Sequence, residues 1–153
     1  MDFMKLAVAE AIKGVNNGDG GPFGAIIVKD NTVVARGHNM VLKTNDCTAH
    51  AEITAIRNAC AALGTFNLEG CTLYTSCYPC PMCMGAALWS RVNEIYYGAR
   101  PEDAAAAGFD DKLFYDYLRH PKSDGLRKLK QIKVDNDQEP FDIWKARESK
   151  VIY

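Results

Sequence analysis

The sequence predicts an α/β protein, a three-layer α/β/α sandwich with a central mixed sheet, on three observations. Two apolar runs, Gly24 to Lys29 and Val33 to Arg36, flank the dipeptide Asp30-Asn31 and read as an antiparallel hairpin. After residue 70 a strand, a helix and a second strand alternate, which calls for parallel pairing through a crossover with helices covering both faces. Helical periodicity over residues 3 to 17 and 50 to 63 supplies the covering layers.

The elements follow in order. Residues 3 to 17 place Phe3, Leu6, Ala7, Ala11, Ile12 and Val15 on one helical face, and Asn16 to Gly21 then supply breakers and turn formers. His50 to Leu63 distributes Ala51, Ile53, Ala55, Ile56, Ala59 and Ala62 as a second helix, with Thr48 available as its cap. Cys71 to Thr75 reads as a strand, Pro81 to Trp89 as a helix with proline in its first turn, and Glu94 to Gly98 as a further strand. Beyond residue 100 the pattern gives a turn at Arg100 to Asp103, a helix from Asp111 to Leu118, a strand near Lys130 to Val134 and a last helix near Pro140 to Ser149. There is no repeat and no flexible linker, so residues 1–153 are expected to form a single domain.

Composition narrows the function classes. Hydrophobic residues make up 48% and charged residues 24% of the chain, which excludes a disordered or low-complexity protein. No segment is long and apolar enough to cross a bilayer. Asp2, Glu10 and Lys13 interrupt the run that a signal peptide would need, so the expected compartment is the cytoplasm. A net charge of -1 and a pI near 6.3 favour a small uncharged substrate over a polyanion. Three of the six cysteines sit at 77, 80 and 83, a clustering suited to gripping a metal in a reducing compartment. Cys47, Cys60 and Cys71 read as small buried hydrophobes.

Two stretches carry chemistry together: His50-Ala51-Glu52 and Pro79-Cys80-Pro81-Met82-Cys83. One imidazole and two thiolates, His50, Cys80 and Cys83, are three zinc ligands with the fourth tetrahedral corner left for water, which marks a catalytic rather than a structural zinc. Glu52 is placed to exchange protons with that water. Both halves fall at helix starts, where the dipole favours thiolates and other anions. Cys77 continues the three-residue interval backwards and is assigned to packing around the site. Singly, each residue has a plainer explanation: a satisfied partly buried His, a first-turn acid, a redox pair or half of a structural zinc site. A structural zinc would want a fourth Cys or His, and His38 is the only nearby candidate.

With these motifs the chain resembles the cytidine deaminase superfamily, whose signature they match, and within it the small bacterial guanine deaminases over nearly its whole length. The residues that carry the resemblance are Gly21-Pro22-Phe23-Gly24-Ala25, Asn45-Asp46, Thr48 to Glu52, Leu73 to Cys77, Pro79 to Cys83 and Gly85-Ala86. Asp103-Ala104-Ala105, Ala107 to Asp111 and a chain end at Tyr153 point to the guanine subfamily. One departure is Tyr78, where these families usually carry Glu before the Pro-Cys; it leaves the ligand set intact and bears on the loop conformation that the Glu supports.

The resemblance implies hydrolytic deamination of guanine to xanthine and ammonia with one zinc ion per subunit. Glu52 would pass a proton from water to N3 as C2 is attacked, and Asp111 would bind ring N-H groups or help protonate the leaving amine. Asn39, Phe23, the backbone amide of Ala51 and Tyr153 would complete the substrate contacts. The family further implies a homodimer in which the C-terminal segment, 135–153, crosses to close the partner's site, with Trp144 and Ile152-Tyr153 as anchors. On residues alone, Asn39 is an ordinary turn residue, Phe23 ordinary core and Asp111 an ordinary cap. Three other readings stand beside this one. Transfer-RNA adenosine deamination would use the basic cluster Lys122, Arg127, Lys128, Lys130 and Lys133, although acidic residues interrupt and follow it. Another free base or an aminotriazine would need only a different pocket. A structural zinc module would have no use for Glu52.

Overall fold

The computed structural model describes residues 2–121, 127 and 129–152. The first helix, α1 (Phe3–Asn16), starts at Asp2, whose carboxylate accepts the Lys5 N–H at 3.2 Å. The hairpin of β1 (Gly24–Lys29) and β2 (Thr32–His38) turns on Asp30 and Asn31, with φ 48° and 60°. Both lie in the left-handed region that a two-residue hairpin turn of the right twist demands, and Asp and Asn tolerate it. The short helix α2 (Val41–Thr44) was not anticipated; it precedes α3 (Ala51–Leu63). Then β3 (Cys71–Cys77), α4 (Pro81–Trp89) and β4 (Glu94–Ala99) form the expected crossover unit.

The sheet order is β2-β1-β3-β4, antiparallel except for the parallel β3/β4 pair, so it is mixed as expected. β1 is buried along Gly24 to Val28, as a central strand covered on both faces must be. Alternate residues divide between the layers. Gly24 faces α1, where a Cβ would collide with the backbone of Ala7 and Ala11; Gly37 faces α3, where it would collide with Ala51 and Ala55. Ala25, Ile27, Leu73 and Cys71 pack with Ala51, Ala55, Ala59 and Ala87 on the α3 and α4 side.

Several expectations are corrected. The buried stripe of α1 is Ala7, Glu10, Ala11 and Gly14, not its larger residues: Ile12 and Val15 are exposed. Small side chains let the helix lie close on the sheet, and Ile12 and Val15 instead help line an open apolar groove of about 760 Å³ with Phe23 and Ala104. Thr48 does not cap α3; its N–H and hydroxyl both donate to Asp46, and His50 occupies the cap position. The turn at Arg100 to Asp103 is the start of α5 (Pro101–Ala106), Asp103 accepting the Arg100 N–H at 2.8 Å. Residues 130 to 134 form no strand: the side-chain pattern is there, but a strand exists by pairing and this segment has no ladder among the described residues. Cys71 is buried and Cys60 partly so, whereas Cys47 is exposed.

Compactness divides the chain at residue 112. The first unit, Met1–Lys112, holds the sheet and all the elements above. The second, Leu113–Tyr153, holds most of α6 (Lys112–Arg119) and α7 (Glu139–Ala146), the latter ending before the predicted Ser149. Phe141, Ile143 and Trp144 of α7 are exposed, and Tyr153 lies outside the described residues. No helix among the described residues is long and apolar enough to cross a membrane.

Candidate metal centre and active site

His50 and Cys80 occupy equivalent places, each the extended residue that caps a helix: φ -68°, ψ 162° before α3 and φ -64°, ψ 166° before α4. Pro81 fixes the first turn of α4, and Cys83 lies on that same turn. His50 Nδ1 is 3.6 Å from Cys80 Sγ and 3.5 Å from Cys83 Sγ. Tetrahedral zinc with bonds of about 2.3 Å to sulfur and about 2.0–2.1 Å to nitrogen sets sulfur and nitrogen about 3.6 Å apart. The donor set therefore fits zinc in type and in spacing.

No fourth protein ligand joins this group among the described residues. Cys77 gives its thiol hydrogen to Arg100 O at 3.7 Å, in keeping with a packing role. His38 is engaged elsewhere, with Nε2 2.8 Å from Asp19 and Nδ1 3.4 Å from Glu10. That occupation removes the one candidate that would have closed a structural site.

The two thiols behave as a pair. Cys80 is held down to about 4 by the hydrogen bond it accepts from Cys83 and by His50 beside it. Cys83 is pushed up because it donates that hydrogen, with burial adding to the effect. His50 is raised, chiefly through its hydrogen bond with Cys80. A divalent cation would take the place of the protons that these groups share, which is the usual coupling of metal binding to proton release.

Glu52 is 5% exposed, far from the solvated first-turn acid of the plainer reading. Burial raises its carboxyl above the ordinary value, and Thr75 Oγ1 donates to Oε1 at 3.0 Å. Asp111 is half-buried; burial, then the negative charge of Cys80, raises its pKa, and it also feels the charge of His50. Its carboxyl therefore lies in the electrostatic reach of the cluster. Capping of the following turn falls to Asp110, which accepts the Lys112 N–H at 3.0 Å.

Ala51 is fully buried, and its N–H lies in the first turn of α3, where no intrahelical acceptor exists. Asn39 is 4% exposed; its Oδ1 accepts the Val41 N–H at 3.1 Å and its own N–H donates to Phe23 O at 3.0 Å. One lone pair of the Asn39 oxygen is thus committed to the local turn. Gly20 packs directly on that amide, leaving no room for a Cβ. Phe23 is half-buried against the core and meets Phe109 edge-on at 5.0 Å. Tyr78, the departure from the usual motif, donates its N–H to Ala99 O at 2.9 Å and sets its ring edge-on to Tyr97 at 5.0 Å.

Thr75 and Phe109 lie in stretches that carry the resemblance, but the sequence reading gave neither a role; their contacts with Glu52 and Phe23 show only in the fold.

Residues 1–99 match the cytidine and deoxycytidylate deaminase zinc-binding region. The chain belongs to the cytidine and deoxycytidylate deaminase family. Among relatives in this deaminase family, the guanine deaminase of Bacillus subtilis (strain 168) is 48% identical over 151 residues, 99% of this chain and 97% of that protein. The X-ray structure of the Bacillus subtilis guanine deaminase superposes with a TM-score of 0.95 at 48% identity, covering 99% of this chain and 96% of that one. A tRNA-specific adenosine deaminase of Agrobacterium fabrum is 40% identical over 122 residues, 80% of each chain. A guanine deaminase structure from Nitrosomonas europaea aligns with a TM-score of 0.66 and 35% identity over 72% of this chain and 64% of that one. The deaminase fold thus accounts for the sheet and the metal-binding motifs, as the sequence resemblance implied.

Proposed function

We propose that this deaminase hydrolyses guanine to xanthine and ammonia with zinc as cofactor. The observation that carries the reading is a buried carboxylate, Glu52, beside three donors at zinc spacing with no fourth protein ligand among the described residues. Guanine rather than a transfer-RNA adenosine is supported by the extent of likeness: the Bacillus guanine deaminase matches 99% of the chain, the Agrobacterium transfer-RNA enzyme 80%.

His50, Cys80 and Cys83 would hold one zinc ion per subunit, and the bound metal would supply the lowered pKa that lets water attack at neutral pH. Glu52 takes a proton from water and delivers it to N3, so that C2 gains oxygen while the ring nitrogen is neutralised. A second proton, from the hydroxyl now on C2, must reach the exocyclic nitrogen before ammonia departs; Glu52 carries it, and Asp111, whose carboxyl burial raises, assists by binding the leaving group. Burial that raises the Glu52 carboxyl brings it nearer to neutrality, which suits a group that must both accept and give a proton.

Recognition falls to the surrounding groups. The Ala51 N–H donates to the substrate, Asn39 reads the purine edge through its Nδ2 and remaining lone pair, and Phe23 stacks on the ring. Tyr153 and the segment 135–153 act as a lid contributed by the partner in a homodimer. Exposed Phe141, Ile143, Trp144 and Ile152 supply the apolar surface such an exchange would bury, and the enzyme works in the cytoplasm. The test is ammonia release from guanine, adenine, cytosine, their nucleosides and aminotriazines. Guanine should lead; a leading nucleoside or triazine overturns the assignment.

A further inference from the structure

We propose that Thr75 is the positioning residue for Glu52, holding one carboxylate oxygen so that the other faces the reacting atoms; this rests on the deaminase reading above. Thr75 is 1% exposed and stands on the α3 side of β3, opposite Ala25 of β1. Its Oγ1 donates to Glu52 Oε1 at 3.0 Å across a sequence separation of 23 residues. Both partners are buried, so bulk solvent does not compete for this hydrogen bond.

The geometry divides the carboxylate's work. Glu52 has three side-chain torsions, and packing alone leaves a terminal carboxylate broadly free to rotate. Thr75, β-branched and embedded in a central strand, is stiff at χ1 and offers a fixed donor. With Oε1 anchored, the proton exchanged with water and substrate travels on Oε2. The hydroxyl goes on donating to Oε1 whether Oε2 is bare or protonated, so the carboxyl keeps its place through both halves of the transfer. Among the described residues Thr75 is the hydroxyl that donates to this carboxylate.

Thr75→Val keeps shape and burial and deletes only the donor, while Thr75→Ser keeps the donor. Val should lower kcat by about 10- to 100-fold, as a misplaced proton carrier does, with KM and zinc content near wild type; Ser should restore most of the rate. A crystal structure of zinc-loaded Thr75→Val should show the Glu52 carboxylate rotated away from its wild-type position. An unchanged kcat, an unmoved Glu52 carboxylate, or equal losses in Val and Ser together with lost zinc would overturn the proposal. Should Val not fold, the same comparison is made with Thr75→Ala against Ser. If guanine proves not to be the substrate, the kinetic comparison is read on whichever base is deaminated. If none is, the deaminase reading falls, while the Glu52 position in the variant crystal still decides the contact.

Discussion

Glu52 shows how a single residue's meaning depends on where burial puts it. An acid in the first turn of a helix ordinarily sits in solvent and steadies the dipole. Here it is 5% exposed, and a hydroxyl donor and the metal-binding group are among the neighbours that offset the cost of burying a carboxylate. Glu52→Ala should therefore leave zinc content at the wild-type level while ammonia release falls by about 10²- to 10⁴-fold, the range of general acid–base catalysis. Metal analysis alongside the assay separates the two effects, and retained turnover would refute the shuttle. His50 and Cys80 make a related point, since each is a helix cap with no side-chain capping bond. Ligation of a metal would take the place of capping at both.

At the scale of elements, the helix-to-strand joint beside the site is held by hydrogen bonds and an ion pair. His38 at the end of β2 lies between Glu10 of α1 and Asp19 of the following loop, and Lys43 of α2 approaches Asp19 at 3.2 Å. Asp19 also accepts the N–H groups of Leu42 and Lys43 through its carbonyl, and its neighbour Gly20 abuts Asn39. The His38 hydrogen bond, with help from Lys43, holds the Asp19 carboxyl below its ordinary value of 3.8. A lowered carboxylate pKa contributes stability that is fully present above the unfolded-state value and lost as pH falls through the folded-state value. Urea midpoints measured between about pH 5 and pH 2 should thus fall less steeply in Asp19→Asn than in wild type. Parallel curves would show that the joint contributes nothing.

At the scale of the molecule, the first unit carries every described residue of the metal centre, and the second carries exposed apolar helix faces. If the C-terminal segment is a lid, removing residues 149–153 should lower turnover and leave zinc content intact. Wild-type turnover in the truncated protein would remove the lid from the mechanism. Gel filtration of the same pair would report whether assembly depends on that segment.

The grouping of the three donors was legible in the chain. His50, Cys80 and Cys83 sit within two short motifs, and intervals of two and three residues at helix starts dictate geometry whatever surrounds them. The hairpin, the crossover unit and the mixed sheet followed from alternation and turn residues for the same reason. What the tertiary structure decided were relations between distant positions. Thr75 meeting Glu52, Phe109 meeting Phe23 and Gly20 pressing on Asn39 leave no local trace, because each depends on which faces the sheet brings together. The buried face of α1 also belonged to tertiary structure: close packing on Gly24 took Ala7 and Ala11, and packing on His38 took Gly14, from a face where periodicity had also placed Ile12 and Val15. The absent strand at 130–134 has the same cause, since alternation encodes a propensity and only a partner edge makes a strand.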